Sequence, residues 1–153
     1  TGAQSLIGQT EGTLYLEVDW RATSGVSQFL LSVNDGTSAN RMLIYNASSG
    51  GGQLHMFARA NGDTKTQQGE SSTAYSGIQK IAFAYADGDF ELYRNGSSIS
   101  SDTTGSLAAL ATLTDIDLGQ AYDASGQANM HIRAVALFTR RLTDAEAQAL
   151  TTL

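Results

Sequence analysis

Alternation with a period of two restricts the fold of this chain more than any other feature. In "GTLYLEVDW", Leu14, Leu16, Val18 and Trp20 share one side while Tyr15, Glu17 and Asp19 share the other, because successive side chains of a strand point oppositely. The first set is expected in a core. The same pattern recurs in "SQFLLSVND", "ANRMLIYN", "GQLHMFARA", "IQKIAFAYA", "DFELYRNG", "TDIDLGQ" and "NMHIRAVALFTR". Gly, Asn, Asp and Ser clusters separate these runs, as expected for antiparallel strands with one buried face. Asp87-Gly88-Asp89 and Asn95-Gly96 read as turns, since these residues tolerate unusual backbone angles. No repeat of the kind that marks propellers or solenoids is present. So many short strands predict an all-β fold, two antiparallel sheets packed face to face as a sandwich or jelly roll.

Three segments depart from the alternation. "LTDAEAQALTTL" carries a capping box, Thr143 followed three residues later by Glu146, and predicts a short C-terminal helix. "NASSGGGQ" reads as a flexible hairpin tip. The polar stretch from Asn61 to Gly77 is expected to wrap the surface with one short edge strand, in the kind of loop that often carries binding.

The chain's 153 residues, 41% of them hydrophobic, are enough for one domain, expected over residues 1–153, and too few for two ordinary ones. A formal charge of −6 repels phosphate backbones and argues against nucleic acid as a partner. No apolar run approaches the roughly 20 residues of a membrane helix, so membrane insertion is not expected. Without cysteine there are no disulfides or thiolate metal sites, and the redox compartment is left open. Thr stands first, as it would in a piece cut from a longer protein.

Metal and nucleophile motifs are sparse. His55 and His131 are the two histidines, far apart, neither with a ligand-type partner at i+2 or i+4 for zinc. No Gly-x-Ser-x-Gly elbow accompanies them. An EF-hand loop starting at Asp87 fails, because Leu92 occupies its glycine position and Ser98 its final glutamate position. Asn46-Ala-Ser and Asn95-Gly-Ser fit the N-glycosylation pattern, the second being better explained as a turn.

"GIQKIAFAYADGDFELYRNGSSISS", "TDIDLGQ" and "NMHIRAVALFTRRLTDAEAQAL" together resemble the laminin G-like branch of the concanavalin A-like lectin/glucanase superfamily. The resemblance rests on Lys80, Ile81, Tyr85, Asp87, Gly88, Leu92, Tyr93, Asn95, Gly96, Leu118, Gly119, Ile132, Val135, Leu137, Phe138, Arg140, Leu142 and Glu146. Arg133 and Ala134 depart from it, standing where many relatives carry an acidic pair. The resemblance implies a concanavalin A-like jelly roll. It also implies a module of bacterial surface proteins or phage fibres that recognises glycans or serves as a structural attachment, placed outside the cell, on its surface or on a virion. Some relatives bind calcium at a sheet rim, which makes calcium a possible cofactor, with Asp35, Asp63, Asp87, Asp102 and Asp123 as candidate ligands.

Glycoside hydrolases of the same superfamily carry a Glu-x-Asp-x-x-Glu pattern. Here Glu17 and Asp19 supply its first two acids, about 7 Å apart on one strand face, but Ala22 and Thr23 stand where the second glutamate would fall. The chain therefore reads as a non-catalytic module. Sugars are held by stacking their C–H faces on aromatic rings while planar polar groups bond the hydroxyls. On the face opposite the core hydrophobes, Tyr45, His55, Arg59, Tyr93 and Arg133 are the residues of those types, and they form the candidate carbohydrate-binding set. Arg41, Leu43 and Phe57 share that orientation. The expected partner is a glycan or cell-surface polysaccharide; the alternative is a structural or oligomerising domain whose aromatic face packs on another chain, as in a homo-oligomer within a larger assembly.

Overall fold

A computed structural model describes residues 3–21, 25–48, 53–70 and 76–153. Among these described residues ten strands follow a short 3-10 turn at Ala3–Leu6: β1 (Gly12–Arg21), β2 (Gln28–Asn34), β3 (Arg41–Ala47), β4 (Gln53–Ala60), β5 (Asp63–Gly69), β6 (Ser76–Ala86), β7 (Asp89–Arg94), β8 (Ser97–Asp102), β9 (Asp115–Leu118) and β10 (Met130–Phe138). One helix, α1 (Asp144–Thr151), follows them. The strands form two five-stranded sheets, ordered β10-β1-β6-β7-β8 and β5-β4-β3-β2-β9. Every pairing within them is antiparallel. This is the jelly-roll sandwich that the alternation predicts.

The core lies between the sheets. Leu16, Val18 and Trp20 of β1 are fully buried, as are Phe83 and Tyr85 of β6, Phe90 and Leu92 of β7, and Met42, Ile44, Leu54 and Met56 from the second sheet. Each such side chain contributes about 1.5–3 kcal/mol by leaving water. Truncating one, for example Leu16→Ala, removes contacts and leaves a cavity, at a cost of about 2–5 kcal/mol.

Part of the outer face of the first sheet is covered too. Tyr15, Ala82, Ala84 and Tyr93 pack there against Leu142 and Ala147 at the start and middle of the helical segment. Tyr15 is therefore 6% exposed, although it stands opposite the core set. The helix begins where the capping box places it: Thr143 is the N-cap, its hydroxyl accepts from the Glu146 N–H, and the Glu146 side chain accepts from the Thr143 N–H.

Two strands correct or extend the sequence reading. β8, "SSISSD", was absent from the alternating runs because only Ile99 of its residues packs on the core; backbone pairing with β7 holds it at the sheet edge. β5 is the edge strand expected in the polar stretch, paired with β4. Residues 49–52 of the glycine-rich hairpin tip lie outside the described residues.

A bulge sets the direction of one residue that matters below. Between Phe29 and Leu31 the β2–β3 register shifts, so Phe29 pairs with Tyr45 and Leu31 with Ile44. The extra residue, Leu30, reverses the alternation. As a result Phe29 joins the outer cluster of Leu43, Tyr45, Ala47 and Phe57, while Leu30, Leu31 and Val33 enter the core.

Candidate functional site

Register places three cross-strand rows on the outer face of the second sheet. Phe29, Tyr45, His55 and Gly69 form the first, on β2, β3, β4 and β5. Ser32, Leu43, Phe57 and Gln67 form the second, and Asn34, Arg41, Arg59 and Thr64 the third. The face thus runs from aromatic at one end to cationic at the other. Among the described residues no helix covers it.

In the first row the rings are in contact. Phe29 and Tyr45 stack with centroids 5.8 Å apart and 22° between planes, and Tyr45 lies 5.4 Å from His55. Phe57 meets Tyr45 edge-on at 6.4 Å. Such pairs add about 0.5–1.5 kcal/mol each beyond area burial. Two glycines make room at the ends: a Cβ on Gly69 would sit 2.4 Å from the His55 ring, and one on Gly126 would sit 2.3 Å from Phe29. Burial pushes the His55 imidazole below its ordinary pKa. Its Nε2 faces the Gln53 side chain at 3.4 Å, whereas its buried Nδ1 has no partner among the described residues. Burial raises the Tyr45 hydroxyl above its usual range, against the hydrogen bond that it accepts from Gln67 and the nearby charge of Arg41.

The third row holds two guanidinium groups on one ring. Arg41 and Arg59 are directly opposed in register, and their Cζ atoms lie 5.3 and 5.4 Å from the centroid of Phe57. Tyr122, from the segment after β9, adds a second ring 5.6 Å from Arg41. Stacking on a ring contributes about 0.5–2 kcal/mol per cation, but like charges directly opposite in a sheet are destabilising. Burial and then the Arg59 charge lower the Arg41 pKa, while Tyr122, Asp123 and Tyr45 raise it.

Of the five residues singled out from sequence, Tyr45, His55 and Arg59 come together on this face. Tyr93 and Arg133 do not, because they belong to the other sheet. Tyr93 is 0% exposed, packed beneath α1, and its hydroxyl donates to Asp144 at 2.7 Å. Tyr93 faces away from the core, as its alternation predicts, but α1 covers that face. Arg133 lies on edge strand β10 and pairs with Glu17 at 3.2 Å. That ion pair also engages the first acid of the hydrolase-like pattern, whose remaining acceptor capacity faces the Tyr15 hydroxyl at 3.5 Å. Phe29, Arg41, Phe57 and Tyr122 complete the cluster. Arg41 and Phe57 were legible from their alternation with Tyr45 and His55, whereas Phe29 depends on the bulge and Tyr122 on a loop without periodicity.

The aspartates proposed for calcium are dispersed among separate turns. Asp35 accepts from Thr37 and Asn40, Asp102 from Thr104 and Asp123 from Ser125. Asp87 accepts from Ser106 and the Leu107 N–H, which hold its carboxyl below the ordinary range, and Asp63 lies 3.5 Å from Lys65. Among the described residues no three metal-ligating side chains gather. Neither glycosylation acceptor is free: Asn46 is 0% exposed, and the Asn95 side chain bonds the Lys80 N–H and Gln79.

Two clefts lie elsewhere. One of about 210 Å³ is lined by Gln9, Asp87, Leu107 and Leu110 among others. Its polar groups are largely committed, since the Gln9 amide bonds the backbone of Ile7 and Leu113 and Asp87 pins the loop after β8. The other, about 80 Å³, is lined by Asp19, Arg21, Asn129, Met130 and His131.

The family model described as the concanavalin A-like lectin/glucanases superfamily matches residues 1–148. The chain belongs to that superfamily. Solved structures share its fold: the CBM40 module of the Ruminococcus gnavus IT-sialidase is 19% identical, with a TM-score of 0.75 over 97% of this chain and 86% of that one. The same module bound to α2,3-sialyllactose is 18% identical at 0.67, covering 93% and 83%. The leech intramolecular trans-sialidase is 17% identical at 0.77, and this chain spans 97% of its own length but 24% of that enzyme. No match was found among curated protein sequences. The chain thus shares its fold with the CBM40 module, and no helix among the described residues is long and apolar enough to cross a membrane.

Proposed function

We propose that residues 1–153 act as one non-catalytic carbohydrate-binding module, an attachment domain carried by a longer extracellular, cell-surface or virion protein such as a phage fibre. The glycan lies on the outer face of the second sheet. One observation carries this reading: Tyr45, His55, Phe57, Arg41 and Arg59 meet on a sheet face that no described helix covers, whereas α1 covers the Tyr15, Ala82, Ala84 and Tyr93 part of the outer face of the first sheet. The partly exposed rings of Phe29 and His55, backed by the buried Tyr45 and Phe57, offer surfaces for sugar C–H groups, and guanidinium N–H groups offer donors to hydroxyl oxygens. The R. gnavus module, whose fold this chain shares, was solved with sialyllactose bound, which supports a sugar as the ligand class.

A shallow face of this kind binds weakly at each copy and gains strength when several copies sit on one particle or surface. A glycan array probed with the wild-type chain, Tyr45→Ala and Arg59→Ala tests the proposal. Retention by a defined glycan set, reduced at least tenfold in both variants, is expected. Unchanged binding in both would move the site elsewhere. Absence of binding together with a stable oligomer by light scattering would favour the structural reading, with the aromatic face packed on a second copy.

A further inference from the structure

Arg41 and Arg59 are unusual among the arginines of this chain. Arg94 pairs with Glu70, Arg133 with Glu17, Arg140 with Glu146, and Arg141 with Asp89, Glu91 and Asp144. Arg21, at the end of β1, is exposed to solvent. Arg41 and Arg59 are partly buried, yet neither has a carboxylate partner among the described residues, and the Nε atom of each is buried without a hydrogen bond. The acid nearest in effect, Asp123, acts on Arg41 through space, but its Oδ1 already accepts from the Ser125 hydroxyl at 2.6 Å and the Ser125 N–H at 3.1 Å.

Two cations are therefore held side by side, partly removed from water, in a chain whose net charge is −6. Register fixes the juxtaposition, since Arg41 and Arg59 are Cα partners, both guanidinium groups lie within 5.4 Å of the Phe57 ring centroid, and the charge of Arg59 acts on Arg41. A neutral sugar would leave the mutual repulsion in place. An anionic oxygen group set between them would relieve it and accept charge-assisted hydrogen bonds from both forks.

Resting on the glycan-binding reading above, we infer that Arg41 and Arg59 form an acid-recognition subsite, so that the glycan taken by this face carries a carboxylate or sulfate group. The aromatic row of Tyr45 and Phe29 begins four residues further along β3, roughly 13 Å away at about 3.3 Å per residue. An acidic sugar over the arginines thus leaves a neighbouring sugar within reach of the rings, which makes the preferred ligand an acidic oligosaccharide.

Titration calorimetry with matched probes tests this: lactose, 3′-sialyllactose for the carboxylate and lactose 3′-sulfate for the sulfate. Each is titrated into the wild-type chain, Arg41→Gln and Arg59→Gln at low and at 0.5 M salt, with circular dichroism confirming that the variants fold. The wild type is expected to bind at least one acidic probe ten times or more tighter than lactose. Each substitution should reduce that preference to near unity, and high salt should weaken acidic binding while leaving lactose unaffected. Which acidic probe wins distinguishes the two acids. Equal affinity for lactose and both acidic probes, unchanged in the variants, overturns the subsite while leaving the glycan-binding face standing. No binding of any probe overturns the subsite, and a glycan array without hits would overturn the face as well.

Discussion

The Tyr93 hydroxyl donates to the Asp144 carboxylate at 2.7 Å, joining β7 to the first turn of α1. Arg141 reinforces the junction by bridging Asp89 at 2.8 Å, Glu91 at 3.3 Å and Asp144 at 3.2 Å. This polar clamp holds α1 on the outer face of the first sheet. Tyr93→Phe should cost about 1.5–3 kcal/mol, the range for a hydrogen bond to a charged group, read as a lower urea midpoint with an unchanged slope. Glycan affinity should stay within twofold; lost binding at intact stability would make Tyr93 a ligand contact after all.

Acid should release the helix first. Hydrogen bonds from Arg140 and then Thr143 hold the Glu146 carboxyl down to about 2 from its ordinary 4.5, and the Tyr93 and Arg141 contacts hold Asp144 below its ordinary range. For a carboxyl depressed in the folded state, the stabilisation is complete above the unfolded pKa and is lost as pH falls through the folded one. Stability should therefore decline between about pH 4.5 and 2, and Glu146→Gln should flatten that limb in melting curves. An unchanged acid limb would show that the capping box carries no pH-dependent stability.

Alkali should act on the other end of the scale. Burial first, and for Tyr93 the bond to Asp144 next, push the hydroxyls of Tyr85 and Tyr93 well above the ordinary 10.0. Tyr85 donates to the Gly8 carbonyl at 2.7 Å. Both must stay protonated in the fold, so stability is complete below pH 10 and falls as pH rises beyond it. A melting temperature that is flat to pH 11.5 would contradict this.

Gly69→Ala tests how the aromatic row is seated. Its Cβ would meet the His55 ring at 2.4 Å, so the ring must move. Overpacking of this kind costs about 1–3 kcal/mol, and glycan affinity should fall at least threefold because Tyr45 rests against His55. Wild-type affinity in this variant would place the ligand away from the aromatic row.

Much of this molecule could be read in its sequence. Alternation at Leu14, Leu16, Val18 and Trp20 marked the core strand, and Thr143 with Glu146 marked the helix start, because both signals are local. Tyr93 could not be read correctly, since what buries it is a helix some fifty residues later in the chain. Phe29 escaped because one bulged residue, Leu30, reverses its face. Tyr45, His55 and Arg59 could be grouped from parity, but the opposition of Arg41 to Arg59 required the β3–β4 register. Ser97–Asp102 gave no hydrophobic period at all, as an edge strand held chiefly by backbone bonds need not.

The most direct test of the account is where a glycan sits. Backbone and side-chain NMR shifts, followed as the strongest array ligand is titrated in, should change first and furthest at Arg41, Tyr45, His55, Phe57 and Arg59. Shifts confined to the cleft beside Leu107 and Leu110, to the Asp19 and His131 edge, or to the helix-covered face of the first sheet would contradict it.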